Sequence, residues 1–187
     1  PIFVGNNFKK DLTKFIKNKY APRRIFVISD SKVFASEAIS LINELENSNI
    51  KCESLSIDIN ETKKNLNTCT SIYDWLLSAG SERNSILISI GGGVTTDLVG
   101  FVASSWLRGL NVIHFPTSLA AMVDASIGGK TGVNFKHGKN LIGAFKQPLL
   151  IAMDTSSLET LKERELNSGW AEAIKHAFLF DKELLKK

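Results

Sequence analysis

This sequence lacks long apolar runs, paired cysteines and a strong charge of one sign. None of its 187 residues belongs to an apolar stretch near the roughly 20 residues that a membrane helix needs, and the N-terminus has no apolar signal-peptide segment. We therefore expect a cytoplasmic protein without a membrane partner. With 43% hydrophobic and 22% charged residues, the composition is that of an ordinary globular protein, long enough for one domain or one domain and part of another.

The cysteines and the basic residues argue against further classes of protein. Cys52 and Cys69 have no CxxC motif and no neighbouring Cys/His partner, so we expect free thiols. The net charge of +4 is mild, and the densest basic run, KNKYAPRR at 17–24, is typical of a solvated helix end and turn. Without a basic block or aromatic residues among base-reading groups, we expect no nucleic-acid partner.

Strand-like and helix-like segments alternate along most of the chain. Helical spacing of apolar residues predicts helices at 31–48, 65–80, 94–109 and 118–126. Apolar or alternating runs predict strands at 23–30, 51–59, 85–90, 111–117 and 149–154. This repeated βαβ order predicts an α/β fold, with a mostly parallel, Rossmann-like sheet and helices on both faces.

The pattern changes near residue 155, where helix-like sequence continues without a further strand. We therefore predict a nucleotide-binding α/β domain at 1–155 and the beginning of an all-helical domain at 156–187. The first residue is Pro1, and the last helix-like segment reaches Lys187 without a cap or breaker. We expect the sequence to be part of a longer protein.

Gly91, Gly92 and Gly93 lie where a predicted strand leads into a predicted helix. Glycines at such a junction let a phosphate reach backbone N–H groups and the positive end of the helix dipole, although a tight turn also favours them. Asp30 ends a strand well before these glycines, which reverses the usual Rossmann order of glycines and acid and disfavours a standard dehydrogenase. Asp97, placed in the first turn of the helix, either binds a ribose or interacts with the helix dipole.

Cationic and amide side chains gather among further glycines between residues 108 and 146. The run from Asp124 to Thr131 looks like a phosphate loop but lacks the Walker A spacing, which disfavours an ATPase. Each lysine alone could be a solvated surface residue, but as a group they favour an anionic small molecule. The group comprises Arg108, Lys130, Lys139, Asn140 and Lys146.

The three histidines carry weaker signals. His114 lies in an apolar strand and is expected to be structural, whereas His137 lies in a predicted loop and receives no role. His176 follows Glu172 by one helical turn, a spacing that suits either a shared metal ion or a surface ion pair.

Six blocks of this sequence resemble the 3-dehydroquinate synthase family of sugar-phosphate cyclases. They occur in the family's order: GGGVTTDLVGF, WLRG, FPTSL, VDASIGGKTGVN, GKNLIGAFKQP and GWAEAIKH. The resemblance implies an NAD-binding α/β domain followed by a helical metal-binding domain, and commonly a homodimer. It also implies the conversion of a phosphorylated heptulosonate, 3-deoxy-D-arabino-heptulosonate 7-phosphate, into 3-dehydroquinate and phosphate, with NAD and zinc or cobalt. In the shikimate pathway this reaction serves aromatic amino acid biosynthesis.

The same resemblance implies roles for individual residues. Arg108 would reach the phosphate bound by a neighbouring subunit, and Glu172 would be one of three metal ligands, which leaves His176 outside the ligand set. The substrate would be surrounded by Asp124, Lys130, Lys139, Asn140 and Lys175. NAD would be held by Asp30, Glu61, Lys64, Gly91, Gly92, Gly93, Asp97, Thr117, Ser118, Lys130, Lys139 and Thr160.

Several positions depart from the family pattern. Thr96 replaces a usual glycine, so the approach to the cofactor could differ, whereas Ser118 keeps the hydroxyl of a usual threonine. Lys162 replaces a common proline, and Phe-Lys-His at 135–137 replaces His-Pro-Leu. The alternatives are another NAD- and metal-dependent cyclase, a glycerol-dehydrogenase-like enzyme, or a non-catalytic NAD-binding module.

Overall fold

The computed structural model describes residues 1–22, 24–181 and 183–186. Arg23, at the start of the first predicted strand, and Lys182 and Lys187, in the predicted helical region, lie outside the described residues. The strands are β1 (Ile2–Gly5), β2 (Arg24–Asp30), β3 (Lys51–Ile57), β4 (Ile86–Gly91), β5 (Asn111–Pro116), β6 (Lys130–Phe135), β7 (Gly138–Phe145) and β8 (Leu150–Asp154). The helices are α1 (Lys9–Tyr20), α2 (Ser31–Val33), α3 (Ile39–Asn47), α4 (Leu66–Ser78), α5 (Gly93–Ser105) and α6 (Glu163–Phe180).

Six parallel strands form the central sheet in the order β1-β8-β5-β4-β2-β3. The interior strands β4 and β8 are buried along their whole length, which explains their continuous apolar sequences. The edge strand β3 is only partly buried, in keeping with its alternating sequence. The predicted α/β fold with a mostly parallel sheet is confirmed.

Helices cover both faces of this sheet, as predicted. On one face, α1 and α3 pack through Leu12, Ile16, Leu41 and Leu45. On the other, α4 and α5 pack through a second group that includes Ile72, Leu76, Leu98, Val99 and Val102. The predicted helix at 31–48 is formed by α2 and α3, which are joined by a π-helical turn at Phe34–Ala38.

The two cysteines are free thiols, as expected. Cys52 is half-buried on β3 and Cys69 is buried in α4. Burial raises the pKa of each thiol to about 12, so both stay protonated and unreactive near neutral pH.

An antiparallel hairpin of β6 and β7 was not predicted from the sequence. It is inserted between β5 and β8 and packs on α5, where a Cβ added to Gly100 would lie 2.5 Å from Thr131 Cγ2. Gly143 lets the two strands approach, since a Cβ there would lie within 2.3 Å of the Thr131 carbonyl oxygen. The short first strand β1 was also missed.

Two predicted helices differ in detail from the structure. The helix expected at 94–109 ends at Ser105, because Leu107 and Arg108 adopt left-handed backbone angles (φ 50° and 68°) in a 3₁₀ turn at Trp106–Arg108. The short helix expected at 118–126 is mainly a π-helical turn at Ala121–Ala125.

Helical structure follows β8, as the sequence indicated. A 3₁₀ helix at Thr155–Thr160 leads into α6, which packs on the Ala121–Ala125 turn. Gly169 makes this approach possible, because a Cβ there would lie 2.4 Å from Leu119 Cβ. In the described ranges, no helix has both the length and the apolar character needed to cross a membrane. The division into domains at residue 155 stays a prediction.

Candidate functional site

The strand connections reverse direction between β2 and β4, which makes the carboxyl ends of these two strands a topological switch point. These strands are neighbours, but the chain leaves β2 toward β3 and leaves β4 toward β5, on the opposite side. In parallel α/β sheets ligands bind at such switch points, because the connecting loops diverge there. Asp30 ends β2 and Gly91 ends β4, so the fold brings together two predicted cofactor residues that are distant in sequence.

The glycine turn between β4 and α5 is shaped for close approach. Gly91 has φ +155°, and a Cβ on it would lie 2.5 Å from Thr95 Oγ1. Gly92 is the N-cap of the 13-residue helix α5 and has no side chain to bind the first N–H groups of the helix. Thr117 and Ser118 lie beside the turn: the Thr117 N–H donates to the Gly91 carbonyl (2.9 Å), and Ser118 Oγ lies near Gly92.

The substitution at Thr96 leaves the glycine turn open. Its side chain is buried, and its hydroxyl donates to the carbonyl of Gly93 (3.0 Å) inside the first turns of α5. The added side chain is thus accommodated within the helix packing.

An ion pair joins Lys64 to Asp97, and a hydrogen bond joins the same lysine to Asn140. Lys64 Nζ donates to Asp97 Oδ2 and to Asn140 Oδ1, each at 2.5 Å, and the lysine side chain is only 4% exposed. Asp97 lies in the second turn of α5, not the first as expected, so its partner is Lys64 rather than the helix dipole. Burial raises the pKa of Asp97, and the hydrogen bond from Lys64 only partly offsets this effect.

Glu61 extends this group on the side of the turn before α4. Its carboxylate accepts a hydrogen bond from Asn134 Nδ2 (2.9 Å) and lies 3.6 Å from Lys139 Nζ. The hydrogen bond from Asn134 lowers the pKa of Glu61, and the positive charge of Lys139 acts in the same direction against the effect of burial. We call Glu61, Lys64, Asp97, Lys139 and Asn140 the hairpin cluster, because the hairpin supplies two of its members.

Two clefts border the hairpin cluster. One, of about 380 Å³, has the size of a small-ligand site. It is lined by Asp97, Lys130, Thr131, Gly132, Asn140, Gly143, Ala144 and Phe145. The other, of about 560 Å³, includes Glu61, Asn65, Asn134 and Lys136.

A second group of predicted residues lies where α6 crosses the π-helical turn. Glu172 accepts a hydrogen bond from Lys175 one turn later, and His176 Nε2 lies 3.9 Å from Asp124 Oδ1. The hydrogen bond to Glu172 raises the pKa of Lys175, and Asp124 adds to this shift. We call Asp124, Glu172, Lys175 and His176 the helix cluster. Within the described residues, no three acidic, histidine or cysteine side chains come together as a metal site.

Arg108 and Thr160 belong to neither cluster and line neither cleft. Arg108 is exposed beyond the C-terminal end of α5, and the length of that helix separates it from the glycine turn by about 20 Å. Thr160 ends the 3₁₀ helix after β8, where its hydroxyl donates to the carbonyl of Ser157 (3.4 Å).

His114 has the structural role expected for it. Its side chain is buried on β5, and Nδ1 lies 2.7 Å from Ser89 Oγ on the adjacent strand β4. Burial lowers the pKa of His114 to about 4, so it stays neutral inside the sheet near neutral pH.

The family profile described as 3-dehydroquinate synthase N-terminal matches residues 54–168, which is more than half of the chain. The match includes the whole hairpin cluster and, of the helix cluster, Asp124. The chain belongs to the 3-dehydroquinate synthase family. This result confirms the resemblance seen in the six sequence blocks.

Individual relatives agree with this family membership. A 3-dehydroquinate synthase of Synechococcus sp. (strain CC9605) is 47% identical over 167 residues, which cover 89% of this chain and 45% of the relative. The chain spans about half the length of the curated relatives that it matches.

Solved structures of two related cyclases share the fold. ValA, a 2-epi-5-epi-valiolone synthase from Streptomyces hygroscopicus subsp. jinggangensis 5008 with NAD⁺ and Zn²⁺ bound, is 31% identical with a TM-score of 0.87 over 98% of this chain and 50% of its own. A 2-deoxy-scyllo-inosose synthase complexed with carbaglucose-6-phosphate, NAD⁺ and Co²⁺ is 26% identical with the same TM-score, over 94% of this chain and 48% of its own.

Proposed function

We propose that this chain forms the cofactor-binding half of a 3-dehydroquinate synthase. The protein would convert 3-deoxy-D-arabino-heptulosonate 7-phosphate into 3-dehydroquinate and phosphate, with NAD and a divalent metal. The observation that carries this proposal is the hairpin cluster, in which buried Lys64 binds Asp97 and Asn140. Asp97 and Asn140 in turn line a cleft together with Lys130. Family membership and the cofactors of the two related cyclases support it.

The described residues fit NAD. Any side chain at Gly91 would collide with Thr95, and a Cβ at Gly93 would lie only 3.0 Å from Ala125 Cβ, so the packing of the turn against its neighbours requires glycine at these positions. The first N–H groups of α5 would bind the pyrophosphate. Asp30 at the end of β2 would bind the adenosine ribose, with Glu61, Lys64, Asp97, Lys139, Thr117, Ser118 and Thr160 completing the cofactor site.

The described residues alone do not form a metal site. Glu172 pairs with Lys175, and no group of three metal-binding side chains occurs within the described ranges. We propose Glu172 as one ligand of zinc or cobalt.

The cationic residues would bind and orient the substrate. We assign the phosphate and carboxylate groups of the heptulosonate to Lys130, Lys139 and Lys175, with Asp124 and Asn140 binding hydroxyl groups. Fixed charges and dipoles of this kind lower a barrier chiefly by holding reacting groups in place before charge develops. When bound, NAD supplies a reversible hydride acceptor, and the resulting ketone acidifies the C–H bond that must break before phosphate leaves.

Arg108 requires a separate explanation, because it is exposed and far from the glycine turn. We propose that it binds the substrate phosphate across a homodimer interface. We also propose that residues 1–155 are the NAD-binding domain and 156–187 the beginning of a helical domain, since α6 contacts the rest of the chain mainly at the π-helical turn.

The decisive experiment measures phosphate release from 3-deoxy-D-arabino-heptulosonate 7-phosphate with NAD and zinc or cobalt. The full-length protein should release phosphate and form 3-dehydroquinate, whereas residues 1–187 alone should bind NAD without turnover. A folded, metal-loaded full-length protein that releases no phosphate would contradict the proposal. Turnover of a different sugar phosphate would then indicate another cyclase, and accumulation of NADH would indicate a dehydrogenase.

A further inference from the structure

Asn134 has no role in the proposed reaction, yet it joins the elements that carry the hairpin cluster. It lies in β6 at an irregularity, where the register with β7 shifts between Val133 and Phe135. Its backbone N–H donates to the carbonyl of Lys64 (2.8 Å) instead of to β7. A bulge of this kind turns the residue away from the ladder and toward a new partner. The hairpin is thereby attached to the turn that carries Lys64.

The side-chain amide of Asn134 donates hydrogen bonds through its nitrogen and accepts one through its oxygen. Nδ2 donates to Glu61 Oε1 (2.9 Å) and to the Glu61 carbonyl (3.1 Å), while Oδ1 accepts from the backbone N–H of Asn140 (2.9 Å). An amide supplies two N–H donors and a carbonyl acceptor, which matches this arrangement, whereas a carboxylate supplies acceptors only.

These bonds fix one residue on each side of Asn134. Glu61 lines the cleft of about 560 Å³, and Asn140 lines the cleft of about 380 Å³. Asn140 has a left-handed backbone (φ 53°), and the bond from its N–H to Asn134 holds it in that conformation. Asn134 thus joins Glu61 to the backbone of Asn140, while Lys64 binds the side chain of Asn140 directly.

We propose that Asn134 is a positioning residue that couples the NAD side of the site to the substrate side, by holding Glu61 and Asn140 in one hydrogen-bonded unit. This inference rests on the proposed function, in which Glu61 contacts NAD and Asn140 contacts the substrate. NAD bound against Glu61 restrains Asn134 and, through it, the conformation of Asn140. Coupling between two sites is reciprocal, so substrate binding strengthens NAD binding by the same factor.

A double-mutant cycle on the full-length protein tests the hydrogen bond between Asn134 and Glu61. Asn134→Asp keeps an acceptor for Asn140 but places a carboxylate against Glu61, so NAD should bind about tenfold more weakly, as expected for a lost hydrogen bond to a charged group. In the double variant with Glu61→Gln, the new amide can donate to the carboxylate at position 134. NAD should then bind at least several-fold more tightly than the product of the single effects predicts.

His137→Ala is the matched control, since His137 lies at the exposed hairpin turn outside both clusters. It should bind NAD like the wild type. Multiplicative effects of Asn134→Asp and Glu61→Gln would overturn the coupling, and so would an Asn134→Asp variant that binds NAD normally. A wild type that binds no NAD would overturn the proposed cofactor as well, which distinguishes the two failures.

Hydrogen exchange tests the link from Asn134 to Asn140 on the full-length protein. NAD should slow amide exchange in the peptide that contains Asn140, but Lys139 lies in the same peptide and would contact NAD directly. The wild type is therefore compared with Asn134→Asp at NAD concentrations that saturate both proteins. The protection of this peptide should be smaller in the variant, while equal protection of the glycine-turn peptide shows that the variant is folded and binds NAD. Equal protection of the Asn140 peptide in the two proteins would contradict transmission through Asn134.

Discussion

The hairpin cluster and the helix cluster contain similar charges in different surroundings. In the hairpin cluster, the Lys64 side chain is 4% exposed and binds partners from α5 and β7. In the helix cluster, the Lys175 side chain is 46% exposed and binds Glu172, a neighbour on the same helix. One ion pair thus joins separate parts of the chain, whereas the other is local.

This difference shows which part of the site is organised by the described residues. Desolvated groups with several partners keep a single geometry, and any ligand that binds them need not pay for ordering them. A solvated pair on one helix can exchange its partner for a ligand at little cost. We therefore expect the hairpin cluster to be preformed and the helix cluster to rearrange when substrate and metal bind.

The largest expected difference is in the stability of two variants, one lacking Lys64 and the other lacking Lys175. Lys64→Met leaves the partly buried carboxylate of Asp97 without its counter-ion, which should lower the free energy of unfolding by about 2 kcal/mol. Lys175→Met removes an exposed local pair and should leave stability unchanged. Urea unfolding of residues 1–187 measures both. Equal stability of the two variants would contradict the comparison.

The pH dependence of the Lys64→Met variant identifies the cause of its instability. Without Lys64, the pKa of Asp97 should rise further above its ordinary value. The deficit in stability should therefore be complete above that folded-state pKa and should shrink as the pH falls through it and the carboxyl takes up a proton. A deficit that is constant with pH would indicate lost packing of the lysine chain instead.

Gly169→Ala should disturb the helix cluster and leave the hairpin cluster unchanged. The added Cβ would lie 2.4 Å from Leu119 Cβ and 2.7 Å from the backbone nitrogen of Ala120, so α6 must move away from the sheet. Such overpacking should cost about 1–3 kcal/mol, although alanine favours a helix. Amide exchange should increase in α6 and stay unchanged in the hairpin. Ser168→Ala, at the exposed neighbouring position, is the control and should change neither.

The smallest expected effect is a difference between two carboxyl groups of the hairpin cluster. The pKa of Asp97 should lie above 3.8 because of burial, and that of Glu61 below 4.5 because of the hydrogen bond from Asn134. Side-chain carbonyl NMR during an acid titration of residues 1–187 measures both midpoints. Glu61 should consequently keep its charge as the pH falls past its ordinary pKa, and the stability that it contributes should be lost as the pH falls further, through its lower folded-state pKa. Ordinary values for both groups would mean that the cluster is solvated.

The strands and helices of the sheet could be predicted because their apolar patterns are strong. The order of these elements also implies that Asp30 and the glycine turn share one edge. The end of α5 could not be predicted, since Leu107 is a good helix former and its left-handed conformation depends on the surrounding fold. Asp97 falls in the second turn rather than the first because α5 begins at Gly93, one residue before the predicted start at 94.

The hairpin and Asn134 could not be predicted for a different reason. β7 is largely exposed, so it has no apolar face that would mark it as a strand. Asn134 stands within the family block VDASIGGKTGVN, but its importance depends on a bulge in the ladder and on a partner at Glu61, far away in sequence. The motif contains Asn134 but does not indicate the bulge or the hydrogen bond to Glu61.

The outer strand β1 bears on how the sheet is completed. It pairs only with β8, with Ile2 opposite Ile151, and the N–H of Asn7 donates to the carboxylate of Asp154. The backbone hydrogen bonds of β1 can therefore form only after β8 has joined the sheet. Contacts of such long sequence separation form slowly, because a long loop must close before they contribute. We expect β2, β3, β4 and β5 to assemble first, and the apolar side chain of Phe3, which here packs against the core, to stay uncovered on any shortened chain that ends before β8.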